Sequence, residues 1–442
     1  MINKKINYKI FLYLIFLLVI FSYFFGFYLD ENSAGAGGYN GDITWILENI
    51  KIFRYNELKD AIFHEDLFGN RPPLVYALNK IFNPFFYEYK QYRIFVFIFS
   101  LIGPLFIYLH LKKNHPNTNN ELLLLISSII LLSPFYRTSA YWALNENYGL
   151  VSSILSLVCL NFFFKKFEIN NQINKYFYLT IFFSSLSVYL DQKYLLVTMI
   201  CFFSIVFSKI NIKFKLFSFL IYIFFSIPYL ILIYKWGGIV PIKTQLGNPN
   251  TITNLSRLNK LYFYNLGYTF SLISFYLFPL LLLKEKSIAK TIRSFFSSKW
   301  SYIIISIPFA YIFLIYNYYD FESYTVDDYW VGFGVVHKSA LFLFDDVKNQ
   351  EIYTYIAFFF SWIIVCLYIE KNYTDYLIII FFCIFSLIIW PLMQEYFDPI
   401  MLIIALMAFK TKIKLNFYNT FFVSFYFFIF LVVANIYYLK IL

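Results

Sequence analysis

Residues 10–29 read IFLYLIFLLVIFSYFFGFYL and carry no charged side chain. This run of 20 residues is long enough to cross a hydrocarbon core of about 30 Å as a helix. Comparable apolar runs recur along the 442-residue chain, and short polar loops separate them. Since 60% of the residues are hydrophobic and only 14% are charged, the composition excludes a soluble globular protein. We therefore predict an all-α polytopic membrane protein.

The apolar runs predict about thirteen transmembrane helices in a single integral-membrane domain, 1–442. Some runs, such as 149–164 and 194–208, are short for a free span, so we expect tilted or irregular helix ends. The predicted spans are roughly 10–29, 93–111, 121–136, 149–164, 176–190, 194–208, 216–234, 265–283, 301–318, 352–369, 376–393, 398–409 and 418–438.

The charges of the loops predict the orientation. With the N-terminus in the cytoplasm, 20 of the 36 Lys and Arg residues lie on the inner side, whereas 20 of the 25 Asp and Glu residues lie on the outer side. Short loops that are rich in Lys and Arg stay in the cytoplasm, so we predict an inner N-terminus and an outer C-terminus. The inner basic residues suit contact with anionic membrane lipids rather than nucleic acid. The bias toward Asn, Ile, Lys, Phe and Tyr favours an AT-rich bacterium, and hence its inner (plasma) membrane.

A long outer loop, 30–92, follows the first predicted span and opens with Asp30 and Glu31. A stretch that contains several glycines leads to Asp42, which is placed at the N-terminus of a helix, where it could serve as an N-cap only. We predict short helices in this loop over Ile43–Phe53, Glu57–Phe63 and Leu74–Phe82. The first of them has an apolar residue every three or four positions, so we expect it to lie in the membrane interface.

Four further outer loops place polar side chains directly at helix ends. A charge at the rim of a span is costly unless it is paired or lines a wet cavity, so we predict a polar cavity that opens outward. As an alternative, Glu146 and Glu395 could be structural partners of Arg137 and Lys193. The residues concerned are Arg137, Trp142, Glu146, Asp191, Lys193, Trp236, Glu395 and Asp398. A late acidic loop, 319–351, is expected to be solvated, with an interfacial helix through Trp330–Phe344.

Two kinds of site are disfavoured by the sequence. The short inner loops carry no glycine-rich phosphate-binding motif, which argues against ATP-driven transport by this chain alone. The four histidines, at positions 64, 110, 115 and 337, share neither a loop nor a helical i,i+4 spacing, which argues against a metal site built from histidine.

The order of these features resembles the GT-C superfamily of integral-membrane glycosyltransferases, which includes protein mannosyltransferases and the aminoarabinose transferase of lipid A. Asp30-Glu31 after the first span matches the acidic start of that family's first outer loop. The segment Asn70-Arg71-Pro72-Pro73-Leu74 is similar to its (R/H)PPL stretch. Residues 395–399, EYFDP, are similar to the RY(F/Y)xxP region of some members but lack its arginine.

The resemblance implies transfer of a sugar from a polyprenyl-phosphate donor to a lipid-linked glycan or another acceptor, with inversion at the anomeric carbon. A first-loop carboxylate would be the general base. Asp30 is our first candidate, Asp42 competes with it, and Glu31 would orient the site. Arg71, Arg137 and Lys193 would stabilise the leaving phosphate, Glu146, Asp191, Glu395 and Asp398 would hold the acceptor or position those cations, and Trp142 and Trp236 could stack on sugars. No cofactor is indicated with certainty, although a divalent cation such as Mg²⁺ or Mn²⁺ could take part.

Two other functions stay open. A lipid-linked oligosaccharide flippase or transporter would usually place ionisable residues near the membrane midplane and show two related halves. Here these residues lie at one rim, and no repeat relates 1–220 to 221–442. A polysaccharide polymerase or ligase usually has a large, Arg-rich outer loop late in the chain, and the late loop 319–351 is acidic instead.

Overall fold

The structure is a computed structural model that describes residues 2–34, 38, 42–69, 71–247, 261–319, 321, 333–369, 372–389 and 392–438. The described residues are helical and contain no strand, apart from an isolated bridge between Lys284 and Ile413. Helices satisfy their own backbone hydrogen bonds, which a lipid environment requires. The all-α membrane class is therefore confirmed.

The helices are numbered in chain order. They are α1 (Ile2–Tyr28), α2 (Asp42–Tyr55), α3 (Leu58–Ile62), α4 (Leu74–Phe82), α5 (Tyr89–Ser100), α6 (Ile102–Asn114), α7 (Asn120–Ser128), α8 (Pro134–Tyr141), α9 (Glu146–Asn170), α10 (Lys175–Leu190), α11 (Leu195–Val206), α12 (Ile212–Trp236), α13 (Ile242–Gly247), α14 (Asn265–Leu280), α15 (Ile288–Phe296), α16 (Trp300–Tyr318), α17 (Gly334–Leu343), α18 (Val347–Tyr368), α19 (Tyr373–Leu387), α20 (Ile400–Met407) and α21 (Phe417–Tyr438).

Among the described residues, eight helical segments are long and apolar enough to cross a membrane, or nine if a bent pair counts as one span. These are α1, α5 with α6, α9, α12, α14, α16, α18 and α21, and the bent pair is α7 with α8. Four other predicted spans coincide with the shorter helices α10, α11, α19 and α20. The predicted number of thirteen is therefore not confirmed.

The chain divides into two compact units. Unit 1 comprises 1–259 and 424–442, and unit 2 comprises 260–423. Each unit is described by itself.

Unit 1 is built around α9. In the 18-residue apolar stretch of each helix, 61% of the residues of α9 are buried but only 11% of those of α12. α9 packs on α10 through small residues on both helices, and Ser152 Oγ of α9 donates a hydrogen bond to Phe183 O of α10 (2.8 Å). Small residues let helix backbones approach closely in a membrane. Most large apolar side chains of α12 are exposed, as expected of a lipid-facing helix.

The bent pair α7–α8 turns by 70° at Ser133-Pro134. A proline inside a helix removes one backbone donor and clashes with the preceding turn, so the helix breaks there. Ser133 Oγ then accepts a hydrogen bond from Tyr136 N (3.0 Å) and caps the new helix. Leu131 O, close to the break, accepts a hydrogen bond from Arg137 Nε (2.7 Å). The sequence prediction of one span over 121–136 missed this break.

The helices of the first outer loop lie close to their predicted positions. α4 spans the predicted residues Leu74–Phe82, and α2 begins at Asp42 and buries Ile46, Ile50 and Phe53. The expected environment of α2 is wrong, however. Its apolar face contacts protein rather than the membrane interface, since the ring centroids of Phe53 and Tyr76 are 5.6 Å apart and Phe53 is fully buried.

Unit 2 is built on the packing of α14 against α18. Gly267 of α14 lies directly against the ring of Phe358, so that a Cβ at this position would overlap the ring. Ser274 Oγ donates a hydrogen bond to Ser361 Oγ (2.9 Å) across the same contact. Of the late loop 319–351, residues 320 and 322–332 lie outside the described residues, and α17 occupies part of the predicted helix Trp330–Phe344.

Candidate functional site

The C-terminal end of α1 determines how Asp30 and Glu31 are presented. Glu31 N donates a hydrogen bond to Gly26 O (2.9 Å), and Asp30 N donates one to Phe27 O (3.3 Å). This is the Schellman pattern of helix termination, which requires a positive φ at the residue after the C-cap. Asp30 takes that position with φ 55°. The reversal leaves the Asp30 side chain 61% exposed, whereas that of Glu31 is 12% exposed.

Glu31 pairs with Arg137, a side chain that is only 2% exposed. Arg137 Nη1 donates to Glu31 Oε2 (2.6 Å) and Nη2 donates to Ser22 Oγ (2.6 Å). Together with the bond from Nε to Leu131 O, all three guanidinium nitrogens are engaged. Glu31 Oε1 accepts a hydrogen bond from Asn435 Nδ2 (3.3 Å). Arg137 is thus the structural partner of Glu31, and the alternative that Glu146 pairs with Arg137 is wrong.

Asp30 pairs with Arg93, which is not among the residues predicted from the sequence. Arg93 Nη2 donates to Asp30 Oδ1, and Arg93 Nε donates to Tyr141 O. The guanidinium also lies over the ring of Trp142, with 4.3 Å between Cζ and the ring centroid. Trp142 Nε1 donates to Glu31 O (3.1 Å). We call Asp30, Glu31, Arg93, Arg137 and Trp142 the first-loop cluster.

A second group of ion pairs forms around Arg71. Arg71 Nη2 donates to Glu146 Oε1 and Nε donates to Asp191 Oδ2 (3.3 Å). Lys193 Nζ lies 3.7 Å from the same oxygen of Asp191, so Lys193 is paired with Asp191. Glu146 begins α9, where the helix dipole favours an acid. We call Arg71, Glu146, Asp191 and Lys193 the Arg71 cluster; it holds two positive and two negative charges.

Arg71 is positioned by a buried asparagine of α2. Asn49 Nδ2 donates to Phe68 O (2.5 Å), and Asn49 Oδ1 accepts from Phe68 N (3.1 Å). Gly69 follows with φ 131°, and a Cβ at this position would lie 3.0 Å from the ring of Trp45. Arg71 Cζ is 5.6 Å from the ring centroid of Trp45. The backbone of Phe68, three residues before Arg71, is therefore held by α2.

Asp42 lies close to the Arg71 cluster. It is the first residue of α2 and is half-buried. Burial raises the pKa of the Tyr76 phenol, and the Asp42 carboxylate raises it as well, while the neighbouring amides of Asn49 and Asn145 and the charge of Arg71 lower it. These shared neighbours place Asp42, Tyr76 and Arg71 in one electrostatic environment.

A single turn connects the two clusters. Trp142 ends α8 and Glu146 begins α9, and between them Ala143 has φ 55°. Asn147 Nδ2 donates to Ser139 Oγ (2.8 Å), which ties the start of α9 to α8. The predicted residues of unit 1 therefore gather around this turn: Asp30, Glu31, Asp42, Arg71, Arg137, Trp142, Glu146, Asp191 and Lys193.

Three other predicted residues, Trp236, Glu395 and Asp398, have the following positions within their own units. Trp236, which is 6% exposed, lines a separate cavity of about 360 Å³ in unit 1, together with Lys59, Asp60, Phe63, His64, Lys235 and Ile242. Glu395 and Asp398 belong to unit 2, where Glu395 is half-buried and Asp398 is 2% exposed. Asn70 lies outside the described residues.

Trp142 offers no open face to a sugar. Trp142 is 5% exposed and its ring is covered by Arg93. In the part of the chain that the structure describes, no group of three or more His, Cys, Asp or Glu side chains could hold a metal ion.

Three residues that build the site were missed. Arg93 stands at the rim of a predicted span, and the rule that selected Arg137 would have selected it too. Gly26 is the lone glycine of the first span, and a Cβ there would overlap Glu31 Oε2 and lie 3.0 Å from Arg137 Nη1. Asn49 gave no signal, because an asparagine in an amphipathic helix usually faces water.

No family model, curated protein or solved structure matches the chain.

Proposed function

We propose that the protein is a membrane glycosyltransferase that moves a sugar from a polyprenyl-phosphate donor to a lipid-linked glycan or another acceptor on the extracytoplasmic face. One observation carries the proposal. The exposed carboxylate of Asp30 contacts the guanidinium of Arg93 at the end of the first candidate span. A base that acceptors can reach thus lies beside a cation that can receive a phosphate.

Asp30 is the best placed of the candidate bases. Its side chain is 61% exposed, whereas those of Glu31, Glu146 and Asp191 are 12%, 9% and 6% exposed. A general base must come within hydrogen-bond distance of the hydroxyl that it deprotonates, so exposure favours Asp30. Asp42 is half-buried and remains the competitor.

The leaving phosphate needs a cation whose N–H donors are not all engaged in other hydrogen bonds. Arg137 is buried and engages all three nitrogens, so it suits a structural role better than phosphate binding. Arg93 bonds to Asp30 and Tyr141 and is 16% exposed. A guanidinium has five N–H donors, which leaves Arg93 able to hold a phosphate oxygen as well. We therefore assign the phosphate to Arg93, supported by Arg71 and Lys193.

The proposed reaction is a single displacement. Asp30 takes the proton of the acceptor hydroxyl, and the acceptor oxygen attacks the anomeric carbon. The bond from that carbon to the phosphate oxygen breaks, the configuration inverts, and the polyprenyl phosphate leaves with the electron pair of that bond. Donors that lie where negative charge develops on the phosphate lower the barrier.

The test is transfer by the purified protein in nanodiscs from a panel of radiolabelled polyprenyl-phosphate sugars. Asp30→Asn keeps a side chain that can bond to Arg93 but removes the base, so we expect a loss of about 10²-fold or more in turnover. The matched control is Asp345→Asn, which alters an exposed carboxylate of unit 2. Repeating the assay with a chelator, and with added Mg²⁺ or Mn²⁺, tests metal dependence.

Each outcome has a distinct meaning. Full activity in Asp30→Asn and loss in Asp42→Asn would move the base to Asp42. If all variants bind the donor equally and none turns it over, the glycosyltransferase proposal is contradicted and a lipid-carrier transporter is favoured.

A further inference from the structure

α15 lies between two membrane spans and packs loosely on its own unit. The chain leaves the candidate span Asn265–Leu283 and enters the next one at Trp300, so that both ends of the loop are held at the membrane. None of the nine residues of α15 is buried. A helix tethered so closely to two spans must lie near the membrane surface.

The helix separates its apolar and polar residues. At 100° per residue, the four large apolar side chains Ile288, Ile292, Phe295 and Phe296 fall within an arc of roughly 100°. Lys290 lies on the opposite side, and Arg293 lies about 60° beyond Phe296, at the flank of the arc. Ile288, Ile292 and Phe296 are 37%, 38% and 53% exposed, so a substantial part of this apolar face is not covered by the protein.

The basic residues of the same loop are also uncovered. Lys284 has a structural role, since its Nζ donates to Leu367 O (3.0 Å) and Tyr368 O (2.9 Å) at the end of α18. The others form no ion pair with any residue that the structure describes; they are Lys286, Lys290, Arg293 and Lys299. Glu285 is the one acid in residues 284–299.

We propose that α15 is an in-plane anchor that binds the anionic lipid surface of the leaflet facing it. The apolar face inserts among the acyl chains near the headgroups, and Lys290 and Arg293 contact lipid phosphates. Interfacial helices of this kind bind through buried apolar area together with attraction to anionic lipids. The excess of positive charge matches a lipid surface better than a protein partner, because the inner leaflet carries a continuous negative potential.

The number of basic residues on α15 determines how strongly we expect it to bind the lipid surface. Each basic residue near an anionic surface favours the bound helix by about fivefold, so Lys290 and Arg293 together account for about 25-fold. Salt weakens this attraction, because the Debye length falls from about 10 Å at 0.1 M to about 3 Å at 1 M.

Hydrogen–deuterium exchange of the full-length protein in nanodiscs tests the proposal without any need for enzyme activity. We expect the amides of 286–299 to exchange at least tenfold more slowly in nanodiscs with 30% anionic phospholipid than in zwitterionic ones. The difference should collapse in the double variant Lys290→Gln/Arg293→Gln and in 1 M salt. The control Lys209→Gln/Lys213→Gln removes two exposed lysines from another inner loop and should leave the difference intact.

Two results would overturn the proposal. One is equal exchange of 286–299 in both kinds of nanodisc at low salt. The other is an equal loss of protection in the control pair, which would indicate a nonspecific charge effect. The variant Ile292→Ser should speed exchange in both lipid mixtures, because it removes apolar area but no charge; unchanged exchange would exclude insertion of the apolar face.

Discussion

Asp30 and Glu31 are neighbours in sequence but occupy different environments, and a backbone dihedral explains the difference. The positive φ of Asp30 turns the chain at the end of α1, so Asp30 is exposed while Glu31 returns to Arg137. Aspartate adopts this region more readily than most residues. The pair thus combines an accessible carboxylate with one that is committed to an ion pair.

The ion pair of Arg137 and Glu31 should be strongly coupled. Removing one partner of a buried pair leaves an uncompensated charge and costs about 3–5 kcal/mol. We expect Arg137→Leu to lower the stability by this order, and Arg137→Leu/Glu31→Gln to lose less than the sum of the single changes. Unfolding by SDS in mixed micelles, analysed as a double-mutant cycle, measures the coupling. Additive losses would show that the two side chains do not depend on each other.

Gly26 should tolerate no side chain. A Cβ would overlap Glu31 Oε2 and lie 3.0 Å from Arg137 Nη1. Because the alternative is to displace a buried ion pair, we expect Gly26→Ala to lower the unfolding midpoint, even though alanine is the better helix former. The control Leu17→Ala changes a lipid-facing residue of the same helix that is 56% exposed. A Gly26→Ala protein as stable as the wild type would mean that the pair can shift freely.

His337 should make unit 2 sensitive to acid. The side chain is 1% exposed and lies edge-on to Tyr268 and Phe333, and burial lowers its pKa from 6.5 to about 4. Between pH 4 and pH 6.5 the unfolded chain binds a proton at this histidine that the folded chain does not bind. The stability of the fold is therefore full above pH 6.5 and falls by up to about 1.4 kcal/mol per pH unit toward pH 4. Thermal unfolding in detergent at pH 4–8 measures this slope. His337→Asn should flatten it, and a slope that is unchanged in this variant would contradict the assignment.

At the scale of elements, α2 acts as the support of the Arg71 cluster through Asn49. Asn49→Ala would leave the N–H and C=O of Phe68 without their partner, at a cost of about 1–3 kcal/mol for each buried group. We expect faster hydrogen exchange over 64–73 and weaker function. Asn56→Ala is the matched control, because that side chain bonds only within its own helix, to Ile52 O (2.9 Å). Equal exchange in both variants would show that α2 does not hold the loop.

The elements could be predicted well where their sequence is periodic. The predicted helix Leu74–Phe82 coincides with α4, and three of the four predicted apolar positions of α2 are buried. What covers α2 could not be predicted, because periodicity indicates an apolar face but does not distinguish lipid from protein. The break at Ser133-Pro134 had a local signal, since proline disfavours a helical residue before it. Arg137 reaches Leu131 O because of that break.

For the whole molecule, sequence indicated the residues of the site better than their pairing. Nine of the predicted residues, eight charged side chains and Trp142, lie around the turn between α8 and α9 in unit 1. Their partners depend on tertiary packing, which is why Glu146 was matched with Arg137 but bonds to Arg71. Arg137 and Arg93 could not be distinguished by sequence either, because the difference lies in their burial and in the number of guanidinium nitrogens that are engaged.

The orientation of the whole chain can be tested by labelling single cysteines with an impermeant maleimide in intact cells. The native background should be low, because Cys159 and Cys201 are buried and Cys366 and Cys383 are half-buried. We expect Glu57→Cys and Asp345→Cys to label from outside and Lys209→Cys to be protected.

The same labels decide whether the bent pair α7–α8 crosses the membrane. If the bent pair crosses the membrane, five predicted spans separate Glu57 from Lys209, so these two residues lie on opposite faces. Eight predicted spans then separate Glu57 from Asp345, so these two residues lie on the same face. If the pair is re-entrant, each of these two numbers of spans falls by one. Lys209→Cys then labels from outside together with Glu57→Cys, while Asp345→Cys is protected. Protection of Glu57→Cys with labelling of Lys209→Cys would instead reverse the whole orientation and place Asp30 and Arg93 in the cytoplasm, which would contradict transfer on the extracytoplasmic face.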